Sequence, residues 1–231
     1  MMTLKVSRPL LAVVVASALI LAMGGLAVAS NMGFKLNKPI VFAGTGQVGS
    51  NWTSLPFNNP YGTGAGLCSQ LGLLSSGTAR GTLVVLNEST GAQTQCTCGT
   101  TQCTSLTLIS GKGINIKEAV GTGAPTSVII VGSHNPTLSI TIPKAGTGQV
   151  GNLWYSVPYH TTAVTAADLC NQIGMASSGT ARGLVTRLNP STGAFTQGTC
   201  GASSALSLNL VLGEHVQLRN PTAISFIPAH Y

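Results

Sequence analysis

The sequence of 231 residues carries few charges: only 6% of its residues are charged, and the formal net charge is +7. An ordinary soluble domain has about 25% charged residues, so this surface must consist mostly of Thr, Ser, Asn, Gln and Gly and repels its neighbours weakly. The basic residues after the N-terminal segment are scattered singly, which excludes the clustered footprint of a nucleic-acid-binding protein. They are Lys35, Lys38, Arg80, Lys112, Lys117, Lys144, Arg182, Arg187 and Arg219.

The N-terminal segment has the pattern of a secretory signal peptide. Lys5 and Arg8 precede an apolar stretch that ends at the small-x-small sequence Ala27-Val28-Ala29. We therefore predict a signal peptide over 1–29 and a mature start at Ser30. Because the apolar stretch approaches the roughly 20 residues of a membrane-spanning helix, an uncleaved anchor is the alternative. No later segment of the sequence is long and apolar enough to span a membrane, so we expect a cell-surface or extracellular protein.

The rest of the sequence consists of two copies of one module. At an offset of 102 residues, 32 of the 55 positions from Gly44 to Cys98 are identical. We predict module 1 over 30–134, a short linker over 135–137 and module 2 over 138–231. A linker of this length is too short for the modules to tumble independently.

The segment from Ser30 to Val41 opens module 1. It corresponds to Leu138–Pro143 at the start of module 2, and the sequence leaves two interpretations open, the first of which is that it forms the first strand of its own module. The alternative is that it pairs with a neighbouring copy of the chain, as in donor-strand assembly.

Each module continues with a phrase around a tryptophan. The first copy reads Gly-Ser-Asn-Trp-Thr-Ser-Leu-Pro from Gly49 to Pro56, and the second reads Gly-Asn-Leu-Trp-Tyr-Ser-Val-Pro from Gly151 to Pro158. Alternate residues of such a strand face inward, so we expect its tryptophans, Trp52 and Trp154, in the module cores. The phrase resembles the Gly-x-Asn-Trp-x-Ser-Leu-Pro opening of small β-sandwich repeats in secreted bacterial proteins. The resemblance implies a bacterial surface or extracellular setting and carries no catalytic residue over.

One short helix is predicted in each module. Thr165 and Asp168 form a capping-box pattern, with Thr at the N-cap and an acid three residues later. Module 1 has Thr63 at the first position but Gly66 at the second. We therefore expect its helix to be shorter or weaker.

After the helix, both modules contain the sequence Ser-Ser-Gly-Thr-Ala-Arg-Gly. It places Arg80 and Arg182 at equivalent positions. In a chain with so few charges, these arginines either hydrogen-bond carbonyls that close the loop or contact a partner. We favour the structural role.

Turn formers with Gly then separate segments of alternating polarity. Asn87–Gly91 and Asn189–Gly193 predict hairpin turns, and Ser105–Ile109 and Ser207–Val211 predict half-buried strands. About six or seven strands per module are typical of a sandwich. The predicted fold is mainly β, with two tandem β-sandwich-like modules, each with one short helix and a disulfide.

Six cysteines in an exported chain favour three disulfides. Two pairs share a spacing of 30 residues at equivalent positions, and the remaining two cysteines have no counterparts in module 2. The predicted pairs are Cys68–Cys98, Cys170–Cys200 and Cys96–Cys103. The alternative is a soft-metal site from Cys96, Cys98 and Cys103, which needs reduced thiolates and usually a fourth ligand. We expect no metal and no cofactor.

Catalytic groups are scarce after the signal peptide. The acids are Glu88, Glu118, Asp168 and Glu214, and none is matched by an acid in the other copy. A paired-carboxylate hydrolase is therefore not expected. A Ser-His-Asp triad with His160 and Asp168 is the alternative, but no Gly-x-Ser-x-Gly motif supports it. We expect no enzyme.

His134 and His230 occupy matching module ends. We favour a structural role for them, and the alternative is a ligand or a pH-sensitive contact. Together with the two equivalent arginines, they are the candidate partner contacts.

These features favour a secreted structural or adhesive surface protein, whose copies associate into a fibre or coat or bind other cell-surface components. The alternative is a carbohydrate or surface-ligand binding module, which would expose aromatic side chains on a sheet face. The candidates for such a face are Phe57, Tyr61, Tyr155 and Tyr159. A secreted hydrolase is the least favoured class.

Overall fold

The two halves of the chain contain the same elements in the same order. The computed structural model describes residues 33–42, 49–88, 90–119, 123–145 and 151–229. The first half contains β1 (Gly33–Pro39), β2 (Ser50–Ser54), α1 (Gly64–Leu71), β3 (Thr82–Leu86), β4 (Gln93–Thr97), α2 (Thr101–Ser105), β5 (Gly113–Lys117) and β6 (Ser127–Ser133). The second half contains β7 (Ile140–Ile142), β8 (Asn152–Ser156), α3 (Ala166–Ile173), β9 (Leu184–Leu188), β10 (Phe195–Thr199), α4 (Ser203–Ser207), β11 (His215–Arg219) and β12 (Ile224–Phe226). The predicted signal peptide and His230 lie outside the described residues.

Each half has a four-stranded sheet and a two-stranded sheet. The four-stranded sheets have the orders β2-β5-β3-β4 and β8-β11-β9-β10, and the two-stranded sheets are β1-β6 and β7-β12. All of these pairings are antiparallel. The predicted mainly β fold class is confirmed. Within the described residues, no helix is both long and apolar enough to cross a membrane.

Strand β1 pairs with the last strand of its own half. Its register with β6 runs from Gly33 opposite Ser133 to Pro39 opposite Ser127. In this chain, the segment that opens module 1 therefore completes its own module, as β7 does by pairing with β12.

The core of each half lies between its two sheets and its longer helix. In the first half, Leu83 of β3, Ile116 of β5, Ile130 of β6 and Leu67 of α1 are at most 2% exposed and belong to one cluster. The second half has an equivalent core. Burial of each such side chain contributes about 1.5–3 kcal/mol to the free energy of folding.

The two longer helices begin as the sequence predicts. Thr165 caps α3 by accepting from the Asp168 amide, and the Asp168 carboxylate accepts from the Thr165 amide at 2.8 Å. Thr63 caps α1 through the Gly66 amide, and Gly66 has no carboxylate to return the bond. Both helices span eight residues, so α1 is not shorter than α3, and a weaker α1 stays a prediction.

Each half also contains a second helix of five residues, α2 or α4, that the sequence analysis does not predict. The segments 105–109 and 207–211 begin at the last residue of these helices and are not strands, so that prediction is wrong. Leu106 and Leu108 are buried and Thr107 is exposed, as the alternation suggests. However, the backbone of this segment forms a single isolated β-bridge, between Thr107 and Thr63, and not a continuous strand pairing.

All three predicted disulfides are present. Cys68–Cys98 and Cys170–Cys200 link the longer helix of each half to the residue after β4 and β10 respectively. Cys96–Cys103 links β4 to α2 in the first half alone. All six sulfur atoms are engaged, and no described cysteine is free.

Candidate functional site

Part of the outward face of each four-stranded sheet is covered by the other half of the chain. Trp52 pairs with Asn115 across β2 and β5, and the neighbouring Ile114 and Ile116 lie in the core. Since side chains alternate along a strand, the indole of Trp52 faces away from that core. It lies instead against Trp154 of the second half, with ring centroids 5.8 Å apart.

This interface between the two halves buries both indole rings. Trp52 is 6% exposed and Trp154 is 5% exposed. His215 stacks on both rings, with centroid distances of 4.4 Å and 4.8 Å. The tryptophans are buried, as expected, but neither belongs to a module core, so that part of the prediction is wrong.

Hydrogen bonds across the interface come in equivalent pairs. The Ser54 amide donates to the Gly213 carbonyl at 3.0 Å, and the Ser156 amide donates to the Gly111 carbonyl at 3.0 Å. The hydroxyl groups of the same two serines donate to the next carbonyl along, at 2.6 Å and 2.8 Å. In each pair of hydrogen bonds, the donor and acceptor of one bond lie 102 positions from the donor and acceptor of the other. The two halves therefore meet about a pseudo-two-fold axis.

The centre of the interface departs from this symmetry. His215 and Gly113 occupy equivalent positions. A Cβ atom on Gly113 would lie 2.2 Å from Cγ of His215, closer than any real contact. The interface therefore has room for only one of the two possible side chains.

His215 is fully buried at this position. Its Nδ1 lies 3.2 Å from the Thr53 carbonyl oxygen. Its Nε2 has no hydrogen-bond partner among the described residues. Burial lowers the pKa of His215 to about 3, so the imidazole is neutral at neutral pH.

Ion pairs surround the same interface. Glu214 accepts from Lys38 at 3.3 Å and from Arg187 at 2.9 Å, and its pair with Lys38 crosses between the halves. Lys112, which occupies the position equivalent to Glu214, donates to Glu88 at 2.7 Å. Burial lowers the pKa of Lys38, and the Glu214 carboxylate opposes that shift. The charges at these equivalent positions are thus opposite in sign and separately paired.

The predicted site residue His134 lies at a second point of contact between the halves. Its ring meets the ring of His160 edge to face, with centroids 4.1 Å apart. His160 also meets Tyr159 at 4.8 Å, and Tyr159 stacks on Phe34 of β1 at 4.2 Å. A cavity of about 20 Å³ beside these rings has room for about one water molecule.

The triad alternative is not supported by the contacts of its acid. Asp168 Oδ2 accepts from the amides of Thr165 and Val164 and from the Thr165 hydroxyl, at 2.8, 3.1 and 2.9 Å. These hydrogen bonds lower the pKa of Asp168. The carboxylate thus caps its own helix, while His160 packs among aromatic rings.

Arg80 and Arg182 adopt the same conformation in the two loops. Arg80 Nε donates to the Gly77 carbonyl at 3.0 Å, and Arg182 Nε donates to the Gly179 carbonyl at 3.2 Å. Both side chains are half-buried. One edge of each guanidinium therefore closes its loop, in the manner that the sequence favoured.

Each four-stranded sheet has two outer strands, which are β2 and β4 in the first half and β8 and β10 in the second. Strands β2 and β8 lie at the interface between the halves, so β4 and β10 are the outer strands with exposed side chains. Within the described residues, each pairs with one neighbour only, β3 or β9. Their sequences, Gln-Thr-Gln-Cys-Thr and Phe-Thr-Gln-Gly-Thr, contain no charged residue and no proline. The first three side chains of each strand are exposed, and Phe195 is 63% exposed.

The predicted aromatic candidates do not form an exposed platform. Phe57, Tyr61 and Tyr155 are 4%, 7% and 2% exposed. Tyr159 is half-buried beneath Phe34. The candidate metal ligands Cys96, Cys98 and Cys103 are all engaged in disulfides, as are the clustered sulfur atoms of Cys68, Cys98 and Cys103.

Sequence reasoning missed the role of His215 because no histidine matches it in the first half. The informative signal is a large residue in one copy where the other copy has glycine. It also missed Lys117 and Arg219, which are cationic at equivalent positions. A comparison of charge between the copies, position by position, finds them.

No family model matches this sequence, and comparisons with curated proteins and with solved structures gave no match.

Proposed function

We propose that this chain is a secreted structural or adhesive protein of the bacterial cell surface, built from two tandem repeats, whose copies assemble with one another. The observation that carries the proposal is the pair of open sheet edges, β4 and β10. An edge strand presents unpaired N–H and C=O groups to any other strand that approaches it.

Proteins that stay monomeric guard such edges with charged residues or proline. Neither β4 nor β10 carries one. Because each chain offers one such edge per module, pairing between copies extends beyond a dimer. The low charge of the surface supports the same proposal, since it opposes close approach only weakly.

Durability outside the cell is the second requirement of a surface coat or fibre. Three disulfides in the described chain supply covalent cross-links that an oxidising environment maintains. They support the extracellular location that we propose.

Electron microscopy and size-exclusion chromatography of the secreted protein test the assembly. We expect regular filaments or sheets, and a protein that stays monomeric at high concentration would contradict the proposal. Gln95→Lys in β4 combined with Gln197→Lys in β10 places a charge on each edge and is expected to abolish assembly.

The matched control is Gln70→Lys combined with Gln172→Lys, because these are exposed glutamines at equivalent positions on α1 and α3. It adds the same two charges away from the edges and is expected to assemble normally. Loss of assembly in both variants would attribute the effect to charge alone and would reject the edges as the contact.

A further inference from the structure

Only two positions of the repeat are basic in both halves. Arg80 matches Arg182, and Lys117 matches Arg219. The other basic residues after the signal peptide have neutral or acidic counterparts, and these are Lys35, Lys38, Lys112, Lys144 and Arg187. The two shared cations are therefore the only charges that the copies have in common.

In the second half, Arg219 lies on the outward face of the four-stranded sheet. It stands opposite Leu184 of β9, which stands opposite Thr199 of β10. The adjacent residues Leu218 and Val185 are in the core, so this row of side chains points away from it. Arg219 is exposed at the end of β11.

Arg182 reaches the same region from the loop that precedes β9. The loop is held closed by the bond from the Gly183 amide to the Ala176 carbonyl, at 2.7 Å. The Nε bond to Gly179 fixes one edge of the guanidinium. Its terminal Nη groups have no acceptor among the described residues, and neither Arg182 nor Arg219 forms an ion pair there.

Both arginines line one open cleft of about 590 Å³. The hydroxyl groups of Thr180 and Thr199 line it as well, and none of its lining residues is acidic or aromatic. Two guanidinium groups without a counter-charge repel each other, and an oxyanion between them relieves that repulsion. A guanidinium group can donate two parallel hydrogen bonds to two oxygens of one such oxyanion.

We propose that this cleft binds a carboxylate or sulfate group of an acidic polysaccharide, held by Arg182 and Arg219. The cleft is far larger than one oxyanion requires, and its threonine hydroxyls suit the hydroxyl groups of the adjoining sugar. No aromatic residue of the described chain lines the cleft, so neither the bases of a single-stranded nucleic acid nor a sugar ring can stack there, and the proposed recognition depends on the acidic group. This binding does not depend on assembly of the chain.

The equivalent position in the first half is less suited to an anion. There Glu118 is buried, and its Oε2 would lie 2.8 Å from a Cβ atom on Gly81, the residue after Arg80. In the second half, Asn220 replaces this acid and accepts from the Ala176 amide at 3.0 Å. The neutral amide removes the repulsion, so we place the site in the second half.

Calorimetric titration of the full chain tests the proposal with two probes, a sulfated polysaccharide such as heparin and a carboxylated one such as polygalacturonate. Arg219→Gln is expected to weaken binding of the preferred probe about tenfold, because a charge-assisted hydrogen bond is lost. Arg182→Gln is expected to do the same. Arg219 is exposed on a strand end, so its variant keeps the fold even if Arg182→Gln disturbs the loop.

The matched control is Lys35→Gln, which removes one exposed charge from β1. It is expected to change the affinity less than twofold. Equal weakening by all three variants would mean general attraction of a polyanion and would overturn the site, as would unchanged affinity in Arg219→Gln. Equally tight binding of single-stranded DNA would overturn the choice of polysaccharide.

Discussion

At the scale of single residues, the centre of the interface is a histidine opposite a glycine. His215 fills the space that its counterpart Gly113 leaves, and it stacks on both tryptophans. The imidazole is surrounded by aromatic rings and backbone, and its Nδ1 lies near the Thr53 carbonyl oxygen. The loss of solvation on burial lowers the pKa of His215 and outweighs the hydrogen bonds to the backbone of Thr53 and Ile114. The Lys38 cation lowers this pKa further.

Because of His215, we expect the protein to lose stability in acid. The pKa of this residue is about 3 in the folded protein and 6.5 ordinarily, so the unfolded chain takes up a proton more readily. The free energy of unfolding therefore falls as the pH drops below about 6.5, and it continues to fall toward pH 3. The difference corresponds to about 5 kcal/mol by pH 3. His215→Phe keeps a ring against the tryptophans without a titratable group. Urea denaturation between pH 7 and pH 3 should show a shallower decline for this variant, and an identical decline would contradict the role of His215.

At the scale of elements, the two longer helices show why equivalent positions are not interchangeable. The capping box of α3 is complete, whereas α1 has Gly66 in place of the acid. The structure supplies the reason: a Cβ atom on Gly66 would lie 2.3 Å from the Tyr61 carbonyl oxygen. Sequence alone identifies the missing acid and suggests a weaker helix, but it does not reveal the backbone that excludes a side chain.

For two substitutions at the helix N-termini, we can therefore predict whether the free energy of unfolding rises or falls. Asp168→Ala removes a cap and should lower the free energy of unfolding by about 1 kcal/mol. Gly66→Asp completes the capping box by sequence but forces the helix away from Tyr61, and it should destabilise as well. Thermal unfolding followed by circular dichroism measures both. A higher melting temperature for Gly66→Asp would contradict this prediction, because it would mean that the Tyr61 backbone moves away to accommodate the new side chain.

The short helices and the false strands at 105–109 and 207–211 have one physical cause. Alternating polarity reports which side chains are buried, and Leu106 and Leu108 are buried as it indicates. It does not report whether another strand is available for pairing. Here only Thr63 meets Thr107, and the preceding helix of five residues is too short to show a periodic pattern.

At the scale of the whole molecule, the sequence predicts the repeated unit better than the relation between its copies. The offset of 102 residues and the cysteine spacing lead to the fold class and to all three disulfides. The interface was not predictable in this way. A buried tryptophan has the same local pattern whether it faces its own core or another module, so Trp52 and Trp154 carry no signal of the partner that covers them.

The interface predicts how the molecule unfolds. Residues from Gly33 onward form one compact unit, so we expect a single cooperative transition in calorimetry. Gly113→Ala inserts a methyl group against His215 and should lower the midpoint and broaden or split the transition as the halves uncouple. Gly33→Ala is the control, since its nearest new contact would be 3.8 Å away. A sharp, unshifted transition in Gly113→Ala would contradict the packing.

The mismatch at the pseudo-two-fold axis has a consequence for the history of the chain. A dimer of identical modules must be complementary to itself, so a residue on its two-fold axis meets its own duplicate. Two imidazoles would collide at the position of His215, and two lysines or two glutamates would stand at the position shared by Lys112 and Glu214. Joining both copies in one polypeptide lifts that constraint, because each can mutate without its twin. A dimer of identical modules cannot have histidine at one copy of a position and glycine at the other, or lysine at one copy and glutamate at the other.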